Sequence, residues 1–281
     1  MAKLNGVRWS AISGVLLVAS SLLLGGCKST DHSANSVKPA IVTTKKQPST
    51  FAKNYAAAKR TATENRSAFS SELADLKRFD RGYDATYLNA LPTKLSEEAE
   101  NVDVVLRGTI TKTSFSSYEN TPHTLYTLFV SDVYSGDTSL KGKEVTLLTL
   151  GGKIKNADLY ASYQQKSFIP ADKKLTPEEL QQYTVVRADG FDPAAPGDEL
   201  VATLKKVYNN ALQQDVYLTI SPEWIFYRTK GSQDFVMHEQ TKGVGGGDST
   251  SNALPPSNDN PSTKGQIVND VNQMVDTGKL P

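Results

Sequence analysis

Three neighbouring stretches of the sequence, 102-VDVVLRGTITKTSF-115, 124-TLYTLFVSDVY-134 and 144-EVTLLTL-150, are rich in β-branched and aromatic residues. The first two alternate in side-chain type, which is typical of strands with one buried face. Turn-forming residues follow the second and third stretches, at 135–143 and at Gly151-Gly152. The spacing predicts three strands joined as an antiparallel meander.

Residues 153–198 interrupt the strand pattern, and a short helix is predicted where Thr176 and Glu179 form a capping box. Strand-like runs then resume at 200–208, 215–220, 223–229 and 234–238. Together with the first three strands, these runs predict one mostly antiparallel, barrel-like domain over residues 99–240.

A helical pattern precedes the strands. Residues 51–81 contain neither glycine nor proline. Their apolar stripe includes Phe69, Leu73 and Phe79, so one helix is predicted there. Shorter helices are expected before residue 98, which makes 51–98 a helical segment.

A second amphipathic helix is predicted over residues 266–277, beyond a polar, glycine-rich linker at 241–265. Ile267, Val271 and Met274 lie on one face of it. A helix of about a dozen residues is marginal on its own. It therefore has to dock, either on its own barrel, which is the favoured alternative, or on a partner.

The strand pattern resembles the OB-type barrels, similar to netrin and metalloproteinase-inhibitor modules, of exported bacterial proteins. The resemblance rests on VDVVLRGTITK at 102–112, on YTLFVSDVY at 126–134, and on a Lys-Gly turn before a strand that ends in Gly151-Gly152. It implies a five-stranded barrel with Gly108 at a bend. The inhibitors depend on an N-terminal cysteine and a disulfide framework, which this barrel lacks, so inhibitor activity is not implied.

The predicted fold class is therefore α+β. We expect an N-terminal helical segment, a mostly antiparallel, OB-like β-barrel, and a tethered C-terminal helix.

The chain has a single cysteine, Cys27, shortly after a run of leucines. Lys3 and Arg8 give a basic start, residues 9–24 are uncharged and mostly apolar, and Gly25-Gly26 are small. This order of segments is typical of a secretory signal. The apolar run is shorter than the ~18 residues expected of a spanning helix. The alternatives are an uncleaved membrane anchor and an ordinary secreted protein with a stray thiol.

The tetrapeptide Leu24-Gly25-Gly26-Cys27 resembles the lipobox of bacterial lipoproteins. The resemblance implies that residues 1–26 are a signal peptide, cleaved between Gly26 and Cys27. It also implies an S-diacylglyceryl group on Cys27, with N-acylation of the new amino terminus as a further candidate modification. Two acyl chains anchor a protein stably. We therefore expect an exported protein, anchored by lipid on the extracytoplasmic side of the cell membrane.

Residues 27–50 are polar and include two prolines, which predicts a flexible tether between lipid and folded part. Removal of residues 1–26 leaves 29 basic residues against 30 acidic ones. This balance does not indicate a nucleic-acid partner. The membrane is the expected partner, through the lipid, and a protein or a cell-envelope polymer is a candidate second one.

The three histidines, His32, His123 and His238, have no metal-ligand spacing. No G-x-S-x-G motif accompanies them, which argues against a Ser-His-Asp hydrolase. No metal, cofactor or catalytic residue is therefore predicted.

Four carboxylates crowd the loop at 189–199, namely those of Asp189, Asp192, Asp198 and Glu199. Such oxygen ligands suit a calcium ion. Aspartate beside glycine or proline is also ordinary turn chemistry, and the spacing is not that of a D-x-D-x-D-G loop. Turns are the favoured interpretation.

Trp224 and Phe226 lie on one face of a predicted strand. An exposed pair of this kind would stack on a sugar ring or a peptide, so the two residues form a candidate ligand face. Packing inside or at the rim of a small barrel is the favoured alternative.

Two classes of function follow. The favoured one is a non-catalytic binding or envelope-assembly module, which uses the barrel face or the terminal helix. The other is an extracellular or cell-wall hydrolase that uses carboxylates of the 189–199 loop. The two differ in whether acidic side chains face each other across a cleft or point into solvent from turns.

Overall fold

The computed structural model of the protein describes residues 49–81, 94–188, 190–219, 224–237 and 261–281, with side chains omitted at 261–264. All of these residues belong to one unit, Gln47–Pro281. The predicted signal peptide, Cys27, nearly all of the tether and the linker at 241–260 lie outside the described residues.

Helices and strands are numbered here in chain order within the described ranges. The helices are α1 Thr50–Leu73, α2 Leu95–Ala99, α3 Asn156–Leu159, α4 Ala161–Gln164, α5 Pro177–Gln181 and α6 Pro261–Thr277. The strands are β1 Lys77–Arg81, β2 Val104–Tyr118, β3 Thr121–Gly136, β4 Glu144–Leu150, β5 Gly152–Lys155, β6 Tyr183–Ala188, β7 Glu199–Asn209, β8 Gln214–Leu218, β9 Ile225–Arg228 and β10 Val236–Met237.

The larger sheet has seven strands in the order β10-β9-β7-β2-β3-β4-β8. The stretches 102–115, 124–134 and 144–150 correspond to β2, β3 and β4, which pair antiparallel in chain order. Strand β7 then returns to lie beside β2, and this arrangement is a Greek key. Strand β8 pairs antiparallel with β7 and, over two residue pairs, parallel with β4, which makes a partial ring of five strands.

The strands of this ring share one apolar core. Leu106, Ile110, Leu128, Leu147 and Leu200 belong to it and are fully buried. Burial of a side chain of this size contributes about 1.5–3 kcal/mol. The α+β class is confirmed by the helices and the two sheets, and the main core lies inside the partial ring of the larger sheet.

Gly108 lies at a register shift between β2 and β3. A Cβ atom at this position would lie 3.1 Å from the carbonyl oxygen of Phe129 and 3.3 Å from the Cβ of Leu128. The close approach of the β3 backbone leaves little room for a side chain at this register shift.

A smaller sheet has the order β1-β6-β5, with β1 and β6 parallel and β5 and β6 antiparallel. The chain crosses from β4 into this sheet at Gly151-Gly152, both of which have positive φ. A Cβ atom on Gly152 would lie 2.6 Å from Oγ1 of Thr124 and 2.8 Å from Cδ1 of Phe115. The crossing therefore requires glycine for both backbone and space.

The helix predicted over residues 51–81 ends earlier, at Leu73, and Lys77–Arg81 form strand β1 instead. The backbone of β1 pairs with β6, and Arg187 of β6 binds the carboxylate of Asp80 at 2.5 and 2.7 Å. The ring of Phe79 is 41% exposed. Pairing with a strand about a hundred residues away overrides the helical periodicity, which local sequence cannot anticipate.

The capping box predicted at Thr176 and Glu179 is confirmed at the start of α5. The amide of Glu179 donates to Oγ1 of Thr176 at 3.2 Å, and the amide of Thr176 donates to Oε2 of Glu179 at 2.8 Å. Both interactions lie within four residues, which is why the motif can be identified from sequence.

Helix α6 docks on its own domain, on the outer face of the larger sheet. Val271 and Met274 are fully buried in a second apolar cluster with Leu95 of α2 and Phe226 of β9. The Asn272 amide accepts from the backbone N–H of Phe235 at 2.9 Å and donates to its carbonyl at 3.1 Å. The helix begins at Pro261, five positions before the predicted residue 266.

We expect Met274→Ala to lower the free energy of unfolding by about 2–5 kcal/mol, since it leaves a cavity under α6. Urea denaturation of the full chain measures the change. Gln273→Ala, one position away on the exposed face, is the control and should change stability by less than about 0.5 kcal/mol. Equal midpoints for the two variants would show that α6 does not dock in solution.

Candidate functional site

The candidate ligand face at Trp224 and Phe226 is not exposed. Their side chains are 2% and 0% accessible, and the rings meet edge to face with centroids 6.3 Å apart. Both rings belong to the cluster beneath α6. The favoured alternative, packing, is therefore the one that the structure has, although the two rings pack beneath the terminal helix on the outer face of the sheet rather than inside the ring of strands.

The acidic loop is divided between different environments. Asp189 lies outside the described residues, and Asp192 is exposed, 3.5 Å from the guanidinium of Arg78. Asp198 is buried and Glu199 is half-buried, so neither is a solvated turn carboxylate. Among the described residues, His, Cys, Asp and Glu side chains form no group of three or more able to hold a metal ion.

The carboxylate of Glu199 lies between two guanidinium groups on the outer face of the larger sheet. Arg107 of β2 donates to Oε2 through Nε at 2.9 Å and Nη2 at 2.7 Å, and Arg228 of β9 donates at 2.6 Å. Both arginines also lie over the ring of Phe235, at 5.9 and 4.6 Å. Burial by itself would raise the pKa of Glu199, but the two arginines outweigh it and hold that pKa below its ordinary value.

Asp198 connects α1 to two loops. Its carboxylate accepts from Nη1 of Arg66 at 2.8 Å, from the amide of Ala195 at 3.1 Å and from the amide of Lys230 at 3.1 Å. The same Nη1 of Arg66 donates to the carbonyl of Pro196 at 2.9 Å. These bonds hold the turn before β7 and the turn after β9 against the helix.

A cleft of about 390 Å³ lies where α1, the turn before β7 and the turn after β9 meet. Its cationic wall residues are Lys59, Arg66, Arg228 and Lys230. Its hydroxyl-bearing wall residues are Thr63, Thr109, Thr229 and Ser232. Glu199 is the acidic residue of the wall. Eight of the wall residues therefore carry a side-chain hydrogen-bond donor.

Thr109 reaches this cleft from β2. Side chains along β2 alternate between the two faces of the sheet. Ile110 lies in the main core, and Thr109 lies on the opposite, outer face. The Thr109 hydroxyl is buried and has no hydrogen-bond partner in the described part of the protein. An unpaired buried hydroxyl costs about 1–3 kcal/mol.

Of the three histidines, only His123 lies within the described residues. It is in β3, next to the β2–β3 turn, where burial lowers its pKa despite a backbone hydrogen bond at Thr121. It is not a wall residue of the cleft.

Sequence reasoning did not find this cleft, because its wall comes from positions near 59–66, 109, 196–199 and 228–232. Arg66 and Asp198 are separated by 132 positions. The crowded acidic loop, with Asp198 and Glu199, was the one local signal near the cleft. It could not reveal the cleft, because the arginines that bind these two carboxylates lie in α1, β2 and β9.

No protein-family model, no curated protein and no solved structure matches the chain. Within the ranges that the structure describes, every helix is too short or too polar to cross a bilayer.

We expect Glu199→Gln to destabilise the fold at pH 7 by about 1–3 kcal/mol, because it removes the charge shared by Arg107 and Arg228. A carboxyl with a lowered pKa stabilises the fold above its unfolded pKa of about 4.3, and the effect is lost as the pH falls through the folded value. The two proteins should therefore converge in stability below about pH 4.

Urea denaturation at several pH values between about 3 and 7 measures this convergence. Glu64→Gln, on the exposed surface of α1, is the control and should match the parent protein throughout. A constant difference between the Glu199 variant and the parent across the whole pH range would contradict the assigned ion pair.

Proposed function

We propose that the protein is an exported lipoprotein, attached to the extracytoplasmic face of the cell membrane through Cys27, and that it acts as a non-catalytic binding module. The order of basic start, apolar run, small residues and cysteine supports the anchor. Helix α1 begins at Thr50.

We also propose that the five-stranded ring is an OB-type barrel. The Greek-key order, the closing contacts of β8 and the bend at Gly108 support this assignment. OB folds commonly bind ligands on the face of their second and third strands, which in this ring are β3 and β4. Here Phe129 of β3 packs against Phe51 and Tyr55 of α1, with ring centroids 5.9 and 5.7 Å apart. The helix therefore occupies part of that face.

One observation carries the choice of a binding module over a hydrolase. The carboxylates of Asp198 and Glu199 are held by Arg66, Arg107 and Arg228 rather than facing each other across a cleft. A carboxylic-acid pair in a hydrolase needs one member with a raised pKa to act as the acid. Arg107 and Arg228 hold the pKa of Glu199 below its ordinary value, so Glu199 does not supply that acid. The arrangement favours a binding cleft with preorganised cations.

We expect Cys27→Ser to abolish metabolic labelling with palmitate and to leave the longer precursor, since lipid transfer and cleavage both depend on the cysteine. The measurement is labelling of the protein in its native host, followed by membrane fractionation and mass determination. Ser29→Ala, two positions later, is the matched control and should be labelled and cleaved normally. Labelling of the Cys27 variant at the parent level would overturn the lipid anchor.

A further inference from the structure

We propose that the cleft bounded by Lys59, Arg66, Thr109 and Lys230 is a phosphate-binding site. The proposal rests on the proposed function as a binding module and names the chemistry of its ligand, a phosphate group carried free or in an ester.

The charge of the cleft suits a phosphate group. Two of its four cations, Arg66 and Arg228, are neutralised by Asp198 and Glu199. Lys59 and Lys230 are exposed wall residues, and neither ammonium group forms an ion pair with any described residue. The ammonium group of Lys59 lies 4.4 Å from the centroid of the Tyr55 ring, a contact that leaves its charge unneutralised. Two positive charges are thus left in one cleft. Lysine binds phosphate as a compact point charge with three donors.

The arginine at the base of the cleft retains donors. Arg66 uses the single nitrogen Nη1 for its bonds to Asp198 and Pro196. A guanidinium group carries five N–H donors. Within the described residues, the other nitrogens of Arg66 have no hydrogen-bond acceptor.

The buried hydroxyl of Thr109 is a second, independent indication. It belongs to the wall of the cleft and has no partner among the described residues. Rotation about χ1 to another staggered well moves the hydroxyl to the position that the methyl group or the Cβ hydrogen held, so the donor can turn toward a ligand oxygen without a change of backbone. A bound oxyanion would then relieve the cost of an unpaired buried hydroxyl.

The donors approach from different elements. Lys59 and Arg66 are on α1, Thr109 is on β2, and Lys230 follows β9. A tetrahedral phosphate accepts hydrogen bonds on several oxygens in different directions, whereas the two oxygens of a carboxylate lie in one plane. This distribution favours phosphate over a carboxylate ligand. The volume of about 390 Å³ also leaves room for a group esterified to the phosphate.

Isothermal titration calorimetry on the full-length lipoprotein in detergent tests the site. Three probes separate the sources of the phosphate group: inorganic phosphate, glycerol 3-phosphate as a monoester, and glycerophosphoglycerol as a diester of the phospholipid-headgroup type. Acetate at matched ionic strength is the control anion. We expect at least one phosphate probe to bind and acetate not to bind, and the tightest probe identifies the source.

The double variant Lys59→Gln/Lys230→Gln should weaken the tightest phosphate probe by about tenfold or more. Lys53→Gln/Lys279→Gln removes the same charge from exposed positions outside the cleft wall and should bind as the parent does. Thr109→Val keeps the shape of the side chain. It should leave the fold as stable as the parent or more so, while weakening binding by about threefold or more.

Absence of binding by every phosphate probe, equal binding of acetate, or equal weakening by the two lysine pairs would each overturn the phosphate site. None of these results affects labelling at Cys27, so the failure of this proposal is distinguishable from the failure of the lipid anchor.

Discussion

The carboxylate of Glu199 lies between the guanidinium groups of Arg107 and Arg228 and connects three strands of the larger sheet, β7, β2 and β9. Phe235, under both guanidinium groups, brings the segment before β10 into the same network. A half-buried carboxylate needs such partners, because burial alone disfavours its charged form. Together with the backbone pairing of β7 and β9, this interaction positions Arg228 at the end of β9, from which the turn at 229–232 continues to the amide of Lys230 bound by Asp198.

The two long helices cover separate parts of the same outer face. Phe51 and Tyr55 of α1 pack on Phe129 of β3, while Val271 and Met274 of α6 pack over β7 and β9. The cleft lies beside α1, where the turn before β7 and the turn after β9 meet the helix, and its two lysines are exposed there.

The placement of α1 also bears on how an OB-type ring would work in this chain. The rings of Phe51 and Tyr55 lie against Phe129 on the strand that such folds commonly use for ligands. Because α1 covers part of that face, the polar surface that stays accessible lies beside the helix, where Arg66 contacts the turn before β7. The strand framework thus supplies a rigid support, and the attached helix decides which part of it is accessible.

Local sequence by itself determined the strands β2, β3 and β4, the capping box at Thr176 and Glu179, and the glycines at 108 and 151–152, because each depends on periodicity or on nearby residues. Only the tertiary structure decided that Lys77–Arg81 form a strand, that Trp224 is buried and that a cleft exists. Those features require pairs such as Arg107 and Glu199, 92 positions apart, to meet. The pattern of residues along the chain specifies which faces are apolar, whereas the packing of those faces decides which distant charges become neighbours.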